Sequence, residues 1–503
     1  MVIVFVVDGL RPDSIDAADT PTLHRLRAEG VSFEASHAAF PTVTRVNAAV
    51  LATGHHPGAT GILGNTMYFR EVDPARAFSN DDWKNLVRVD QATDGRAVLV
   101  PSLAERLQAR RLTFAAVGSG STGSSWLLNP SAARGVGILV NGYLEPGTLV
   151  AYPPAANAEI LRRFGAAPAK GGRTDAYDAS VDWTETVLRG YVLPTLTPDV
   201  VINWLTEPDH MQHAQSVGSP EARASIRNGD RHLGLVLKTL ETLGRVEGTN
   251  VFVVSDHGFG LNTYAVNVTR ELIDGGLKTA PDSDDVVVAS NGQAIGLYVK
   301  DGAGERVQKI VAFLQSREWI GVIFTAPQRA DTPADPQGSV EGTFSLALIN
   351  AYHAARGPDI LFTFPWTSAR NAYGVQGTDV GNTTGPTGPL IGTTSDHGSM
   401  SPWTVRNTIL AWGPAFKRGV RVRVPAGTVD VAPTVLRLMG VETTGLDGRV
   451  LHEALEGGPD EEQVTVDTRA YSVQAGAGAY RAVVQISEVD GRRYVGKGWR
   501  VTP

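Results

Sequence analysis

The chain opens on an unbroken apolar run that predicts a strand buried on both faces. Residues 2–7 (VIVFVV) are all apolar and mostly β-branched, and the run ends at Asp8-Gly9. Such a run is typical of a strand inside a parallel sheet, because both faces of that sheet are covered. Pro21–Gly30 then shows helical spacing, with a proline near its start and a glycine at its end.

The same alternation of strand and helix recurs along the chain. The pattern predicts further strands at 113–117, 200–204, 250–254, 360–364 and 408–412, and further helices at 103–110, 219–243 and 429–439. Strands that alternate with helices imply an α/β fold with a mostly parallel central sheet and helices on both of its faces.

Four stretches interrupt this alternation, near residues 66–91, 129–180, 262–291 and 371–394. We interpret them as surface insertions or lid segments rather than as linkers between separate domains. From Asp460 the pattern is polar and weakly alternating, which predicts a terminal hairpin. We therefore expect one domain over residues 1–459, with a β extension over 460–503 that packs on the same domain.

Composition and charge narrow the function. The net charge is −7, and no basic run stands out, so the chain does not resemble a protein that binds a nucleic-acid duplex. A small anionic substrate fits, because bound metal ions can supply local positive charge. The chain has no cysteine, which excludes thiolate catalysis, disulfides and cysteine-ligated zinc. Any metal must rest on histidine, aspartate and hydroxyl groups.

No apolar run is long enough to span a membrane, so no membrane partner is expected. The first apolar run has no basic segment before it and no cleavage-site pattern after it. As written, the sequence predicts a soluble protein without an export signal. The expected compartment is cytoplasmic, or periplasmic or secreted if the N-terminus has been trimmed. We find no pattern that specifies an oligomeric state.

Acidic and histidine residues follow several of the predicted strands. They are Asp8, Asp209, His213, Asp256, His257 and His397. The carboxyl ends of parallel strands meet at one edge of a sheet, where ligands bind. Asp209 and His213 are four residues apart and share one helical face. Three Asp and three His suit two divalent ions of the zinc type, a pair that favours in-line displacement at phosphorus.

Taken alone, each of these residues has a simpler interpretation. An Asp after a strand is most often a cap or turn former, Asp-His-Gly is ordinary in turns, and a lone helical His is usually solvated. The combination indicates a metal site, since most members follow strands. The remaining histidines form no comparable set, and we interpret them as structural or surface residues: His24, His37, His55, His56, His210, His232, His353 and His452.

The segment 41–54 (PTVTRVNAAVLATG) offers a nucleophile. Thr42 and Thr44 precede a helix-like stretch. A threonine hydroxyl is a weak nucleophile unless a metal or base activates it, and a helix N-terminus would favour phosphoryl charge. Alternatively, one or both threonines cap the helix. Spacing alone does not choose between them.

As an ordered set, five motifs resemble the type I phosphodiesterase/nucleotide pyrophosphatase family of the alkaline phosphatase superfamily. They are VIVFVVDGLRPDSI, FPTVTRVNAAVLATGHHPGATGILGN, EPDHMQH, VVSDHGFG, and SDHGSMSP followed by VDVAPTVLRLMGV. The resemblance spans Val2–Val441 and implies an alkaline-phosphatase-like fold. It also implies that Thr44 is the nucleophile, and that Asn65 holds a phosphoryl oxygen.

The resemblance further divides the metal ligands between two zinc ions. One set is Asp209, His213 and His397, and the other is Asp8, Asp256 and His257 completed by the Thr44 oxygen. The implied reaction is attack by Thr44 to give a phosphothreonine, which is then hydrolysed. Sulfatases fit less well because they need Cys or Ser where this chain has Thr44, and alkaline phosphatases proper use Ser there.

The sequence departs from the family beside the nucleophile, where a common aromatic residue is replaced by Arg45. Arginine stacks on a base or pairs with a second phosphate or carboxylate; alternatively, Arg45 points to solvent or pairs with a nearby acid. We hypothesise a hydrolase of phosphodiester or pyrophosphate bonds in a small, nucleotide-like substrate. Phosphonoacetate hydrolysis and phosphomonoesterase activity at the same site are alternatives, and a non-catalytic metal- or anion-binding protein is another. Trp126, Tyr68 and Trp366 are candidates for an aromatic slot.

Overall fold

The computed structural model describes residues 1–142, 149–172, 174–302, 304–329, 335–390 and 394–501. Parts of two predicted insertions, at 143–148, 173 and 391–393, lie outside the described residues. The helices are α1 Pro21–Glu29, α2 Thr44–Thr53, α3 Pro57–Thr60, α4 Trp83–Ala92, α5 Leu103–Gln108, α6 Thr122–Leu128, α7 Pro154–Phe164, α8 Asp178–Val187, α9 Asp209–Gln215, α10 Pro220–Thr242, α11 Val268–Asp274, α12 Gly304–Gln315, α13 Pro402–Val405 and α14 Val431–Leu438.

The strands of the first half of the chain are β1 Val2–Val7, β2 Val31–Phe33, β3 Ser36–His37, β4 Thr66–Met67, β5 Phe78–Ser79, β6 Phe114–Gly118, β7 Ile138–Asn141, β8 Ala151–Tyr152, β9 Val200–Leu205 and β10 Asn250–Val254. Those of the second half are β11 Gly260–Val266, β12 Val286–Asn291, β13 Ala294–Val299, β14 Ile323–Thr325, β15 Phe344–Ser345, β16 Ile360–Thr363, β17 Trp366–Arg370, β18 Gln376–Asn382, β19 Gly388–Pro389, β20 Ser395–Asp396, β21 Ile409–Trp412, β22 Val420–Val422, β23 Ala426–Gly427, β24 Asp467–Ala475, β25 Tyr480–Val489 and β26 Arg492–Arg500.

The central sheet has nine strands in the order β22-β2-β21-β10-β1-β9-β6-β7-β8. The middle strands β10, β1, β9, β6 and β7 run parallel, whereas β21 is antiparallel to β10 and β2, and β8 is antiparallel to β7. The predicted α/β fold with a mostly parallel central sheet is confirmed.

Strand β1 lies at the centre because both of its faces are apolar. Val2, Val4 and Val6 belong to one hydrophobic core, while Ile3 and Phe5 belong to a second core on the opposite face. A strand covered on both sides needs no polar alternation, which explains the unbroken run in the sequence.

Helix α10 covers the second of these faces. The Ser219 side chain accepts a hydrogen bond from the Ala222 amide, and Pro220 occupies the first turn, so the N-terminus is capped as the sequence suggests. Its apolar row recurs at helical spacing and packs into the core, with Ile226, Leu233 and Leu240 buried.

The interrupting stretches contain regular structure that the sequence analysis missed. Residues 129–180 supply β7 and β8 to the central sheet, so this stretch is not wholly a surface insertion. The stretches 262–291 and 371–394 meet each other, because β11 pairs in parallel with β18 in a smaller sheet. Strand β16, predicted at 360–364, joins β13 and β14 in another sheet instead of continuing the central one. Short apolar runs specify a strand but not the sheet that it joins.

The C-terminal residues form three antiparallel strands, β24-β25-β26, where a hairpin was predicted. Strand β24 was missed because residues 467–470 are exposed and the first three of them are polar, so it lacks a clear alternation. Tyr494 of β26 donates a hydrogen bond to Asp430 just before α14. The division at 459/460 stays a prediction. Among the described residues, no helix is both long and apolar enough to cross a bilayer.

Candidate active site

Three neighbouring strands of the central sheet deliver the predicted acidic residues to one edge. Asp8 directly follows β1, Asp256 follows β10, and Asp209 begins α9 after β9. Because β9 and β10 flank β1 in parallel register, their carboxyl ends meet above it. His213 lies one turn after Asp209 on the same helical face, as its spacing predicts.

One group of predicted ligands gathers around His257. Its Nε2 atom lies 3.1 Å from Asp256 Oδ2 and 3.5 Å from Asp8 Oδ1. The hydroxyl oxygen of Thr44 is 3.3 Å from the same nitrogen. These four side chains correspond to the set that the resemblance implies for one zinc ion.

The second group gathers around Asp209. Its Oδ1 atom lies 3.4 Å from His397 Nε2 and 3.5 Å from His213 Nε2. The same oxygen is 3.8 Å from His257 Nε2, so the two groups adjoin. The structure therefore brings together all seven side chains that the sequence analysis named as metal ligands.

Each of the three histidines uses Nδ1 to donate to a backbone carbonyl. The acceptors are Ser395 O for His213 at 2.9 Å, Gly258 O for His257 at 3.0 Å and Thr42 O for His397 at 2.8 Å. A carbonyl can only accept, so Nδ1 carries a proton, and in the neutral ring the lone pair is on Nε2. Such outer bonds orient histidines for metal binding, and here all three Nε2 atoms face the cluster.

Each aspartate has one buried oxygen without a hydrogen-bond partner among the described residues: Asp8 Oδ1, Asp209 Oδ1 and Asp256 Oδ2. Trp204 Nε1 donates to the other oxygen of Asp8 at 3.0 Å, and the Gly9 amide donates to that of Asp256 at 3.1 Å. Unpaired buried carboxylate oxygens are costly unless a cation neutralises them. The donor set therefore suits the binding of metal cations.

Electrostatics of the cluster point the same way. Burial and the neighbouring carboxylates of Asp256 and Asp209 raise the pKa of Asp8 well above its ordinary value. Burial would also raise the pKa of Asp209, but His213 and His397 outweigh it and hold that pKa well below its ordinary value. Burial lowers the pKa of His213, yet Asp209 outweighs it and raises that pKa to about 9. In the protein alone, burial and the two neighbouring carboxylates therefore disfavour the ionised form of Asp8.

The structure separates the two candidate threonines. The Thr42 hydroxyl donates to Ser399 O at 3.1 Å and accepts from the Gly398 amide at 3.1 Å, so it is fully used in holding the loop of His397. Thr44 is the first residue of α2, and its hydroxyl faces His257. Neither threonine caps this helix, because the N-cap residue is Val43.

Asn65 lies beside the start of α2. Its Oδ1 atom accepts a 2.8 Å hydrogen bond from the Arg45 amide. This bond fixes the orientation of the side-chain amide and makes the Nδ2 group the end available to a ligand. A donor next to a helix N-terminus suits a phosphoryl oxygen.

A cavity of about 210 Å³ opens beside Thr44 and includes residues that the sequence analysis missed. Those residues are Asp81, Gly120, Ser121, Ser124, Lys170, Tyr177, Trp204 and Thr206. The Gly/Ser-rich turn after β6 was a usable signal for Ser121 and Ser124, because it follows a parallel strand. Asp81, Lys170 and Tyr177 come from interrupting stretches without a periodic pattern.

The aromatic residues of this cavity differ from those that the sequence analysis named for an aromatic slot. Trp126, Tyr68 and Trp366 are absent from the lining of this cavity. Tyr177 lines it instead, together with His210, which the sequence analysis interpreted as structural or surface. The two rings contact each other, with centroids 4.0 Å apart at 47°.

Arg45 pairs with an acid, which was the simpler of its two interpretations. Its Nη1 atom lies 3.7 Å from Asp81 Oδ1, and only 14% of its side chain is exposed. Lys170 Nζ donates to the other oxygen of Asp81 at 2.8 Å. Burial opposes ionisation of Asp81, but Arg45 and Lys170 outweigh it and lower its pKa.

Comparison with known proteins identifies relatives of this chain. The model of the family described as type I phosphodiesterase/nucleotide pyrophosphatase matches residues 2–337. Ectonucleotide pyrophosphatase/phosphodiesterase family member 3 of Bos taurus is 25% identical over 263 residues, which is 51% of this chain and 24% of that protein. Venom phosphodiesterase 2 of Crotalus adamanteus is 23% identical over 259 residues, covering 51% and 26% of the two chains. The match therefore spans about a quarter of the length of these relatives.

Solved structures share the fold. Human ectonucleotide pyrophosphatase/phosphodiesterase 5 aligns with a TM-score of 0.58 at 15% identity, and its murine counterpart with a TM-score of 0.60 at 15% identity. Each alignment covers 90% of this chain and 99% of the other. The alkaline-phosphatase-like fold expected from the motifs is confirmed.

Proposed function

Because this chain belongs to the type I phosphodiesterase/nucleotide pyrophosphatase family, we propose that it is a metal-dependent hydrolase of phosphodiester or pyrophosphate bonds with Thr44 as its nucleophile. One observation carries the proposal. Three histidine Nε2 atoms converge beside the Thr44 hydroxyl with three carboxylate oxygens that have no hydrogen-bond partner in the described part of the chain. A protein that only bound metal would have no need of that hydroxyl in the cluster.

We assign the metal ligands as two sets. Asp209, His213 and His397 would hold one ion, and Asp8, Asp256 and His257 the other, with the Thr44 oxygen added to the second set. Mixed nitrogen and oxygen ligation favours Zn²⁺ over Mg²⁺ or Ca²⁺. When bound, two such ions would lower the pKa of the threonine hydroxyl and offset negative charge at phosphorus.

The chain's own groups then perform the displacement. Thr44 Oγ1 gives up its proton and attacks phosphorus, the bond to the leaving oxygen breaks, that oxygen takes up a proton as it departs, and a phosphothreonine forms. Water next attacks the same phosphorus and releases Thr44 and the second product. The N-terminus of α2 and the Asn65 amide hold the non-bridging oxygens during both steps.

A comparison of three substrates tests this proposal. We expect the zinc-loaded protein to hydrolyse bis-p-nitrophenyl phosphate with a higher kcat/KM than p-nitrophenyl phosphate or phosphonoacetate, because the two ligand sets would offset the single charge of a diester more completely than the higher charge of a monoester or phosphonate. A clear preference for the monoester or the phosphonate would favour the alternative hydrolases. Failure on every phosphoester by protein that holds two zinc ions would favour the binding protein.

A further inference from the structure

The cavity beside Thr44 contains a charged group of side chains that hydrolysis at phosphorus does not require. We propose that Arg45 and Lys170 bind a second, compact anionic group of the substrate, a carboxylate or a phosphonate close to the scissile phosphorus, in preference to a nucleobase. This inference rests on the proposed function and narrows its substrate class.

Arg45 is the central element of this subsite. It follows the nucleophile directly and lines the same cavity as Thr44. Its only described ion pair, with Asp81, is 3.7 Å long, and its buried Nε atom has no hydrogen-bond partner among the described residues. A largely buried guanidinium with unused donors is costly, and a bidentate anion would satisfy it.

Arg45 also lies at the N-terminal end of its helix. It is the second residue of α2, at the end of the helix that carries partial positive charge. A cation is unfavourable there unless an anion lies nearby. Asp81 offsets part of this charge, and a substrate anion would offset the remainder.

The balance of charge in the cavity leaves room for an anion. Apart from the metal-ligand residues Asp8 and Asp209, its lining includes two cations, Arg45 and Lys170, but one carboxylate, Asp81. Lys170 contacts Asp81 at 2.8 Å, so Asp81 joins the two cations. In the proposed complex the substrate anion adds to this network and does not replace Asp81.

The aromatic rings of the cavity do not form a slot for a base. Tyr177 and His210 contact each other directly and are tilted by 47°. Two rings in direct contact leave no gap between them into which a base could insert. The lining therefore favours charge recognition over base stacking.

A series of p-nitrophenyl diesters tests the proposal, because all share one leaving group. The second ester group is ethyl, carboxymethyl, phosphonomethyl or 5′-thymidyl. We expect kcat/KM for at least one of the two anionic esters to exceed that for the ethyl ester by about tenfold or more, as expected for a charge-assisted contact, and to exceed that for the thymidyl ester. The carboxymethyl and phosphonomethyl arms identify which anion is preferred.

Arg45→Gln should bring the ratio of kcat/KM for the anionic ester to kcat/KM for the ethyl ester close to one. Lys170→Met should lower the same ratio. The control is Arg162→Gln on the exposed surface of α7, which should keep both the ratio and the rates. Lys170→Met also keeps the test informative if Arg45→Gln fails to fold.

The outcomes separate the two proposals. Equal hydrolysis of ethyl and anionic esters, or a preference for the thymidyl ester, overturns this inference and leaves the hydrolase intact. If no diester is hydrolysed, the proposed function fails. Calorimetry with zinc-loaded Thr44→Ala protein then decides the subsite: carboxymethyl phosphate or phosphonomethyl phosphate should bind about tenfold more tightly than ethyl phosphate, and equal affinities overturn the inference.

Discussion

The hydroxyl of Thr44 lies 3.3 Å from Nε2 of His257, whereas the hydroxyl of Thr42, two residues earlier, is engaged with Ser399 and Gly398. Thr44→Ala should lower kcat on bis-p-nitrophenyl phosphate by at least about 10³-fold, because it removes the hydroxyl that faces His257 in the ligand cluster. Bound zinc should stay near two ions per chain, since six side-chain ligands remain. Stopped-flow assay and metal analysis measure both effects.

Thr42→Ala is the matched control. It removes two buried hydrogen bonds, so it should reduce the free energy of unfolding by about 1–3 kcal/mol while catalysis at permissive temperature continues. If Thr42→Ala abolishes turnover and Thr44→Ala retains it, the assignment of the nucleophile is wrong.

Trp204 should control zinc affinity at one of the two sites. Its indole donates to the Asp8 oxygen that faces away from the cluster. Trp204→Phe should weaken the ion held by Asp8, Asp256 and His257 by about 10–100-fold, the usual effect of losing such an outer contact. Titration with a competing chelator should show one weakened ion and one unchanged ion. Equal weakening of both would contradict separate ligand sets.

Chelation should remove activity and destabilise the fold. Without cations, three buried carboxylate oxygens face one another without a partner among the described residues. Zinc that binds only the folded state stabilises it, so the thermal midpoint should fall on chelation and recover with added zinc. Full activity after exhaustive chelation, verified by metal analysis, would exclude a metal-dependent mechanism.

Glu185 should make stability depend on pH. Burial raises the pKa of this glutamate to about 7 in the folded chain, despite its contact with Asn203. A raised carboxyl pKa means that the folded state holds its proton more tightly than the unfolded state, so this contribution to stability is complete below about pH 4.5 and lost as pH rises through about 7. Glu185→Gln should abolish this trend.

Urea unfolding at fixed zinc concentration measures the effect. The free energy of unfolding of Glu185→Gln, taken relative to that of wild type, should rise by on the order of 2–3 kcal/mol between pH 5 and pH 8. Glu241→Gln, an exposed helical control, should follow the wild-type curve at every pH. If stability against pH runs parallel in Glu185→Gln and wild type, Glu185 does not hold this proton in the folded state.

Those parts of the site that directly follow buried strands were predictable from sequence. Asp8, Asp256 and His257 end apolar runs, and parallel strands converge at one edge. The contacts that distinguish Thr44 from Thr42 were not, since they join residues more than 200 positions apart. Asp81 and Lys170 lie in stretches without periodicity, where tertiary contacts alone determine the position of a side chain.

The fold, like the site, has parts that the sequence predicts and parts that it does not. Strand β1 was predictable to the residue because burial on both faces leaves only apolar positions. Strands β7 and β8 were missed because they are short and lie inside an irregular stretch, and β16 was predicted without its sheet. The local pattern of apolar and polar residues predicts whether a segment is a strand and which of its faces is buried. The strand with which it pairs depends on the fold of the whole chain.

The stereochemical course at phosphorus tests the covalent phosphothreonine most directly. A P-chiral p-nitrophenyl phosphorothioate diester is hydrolysed by zinc-loaded protein in isotopically labelled water, and the configuration of the product is determined. Two successive in-line displacements, first by Thr44 and then by water, predict net retention. Net inversion would mean that water attacks the substrate directly, and would contradict Thr44 as the nucleophile.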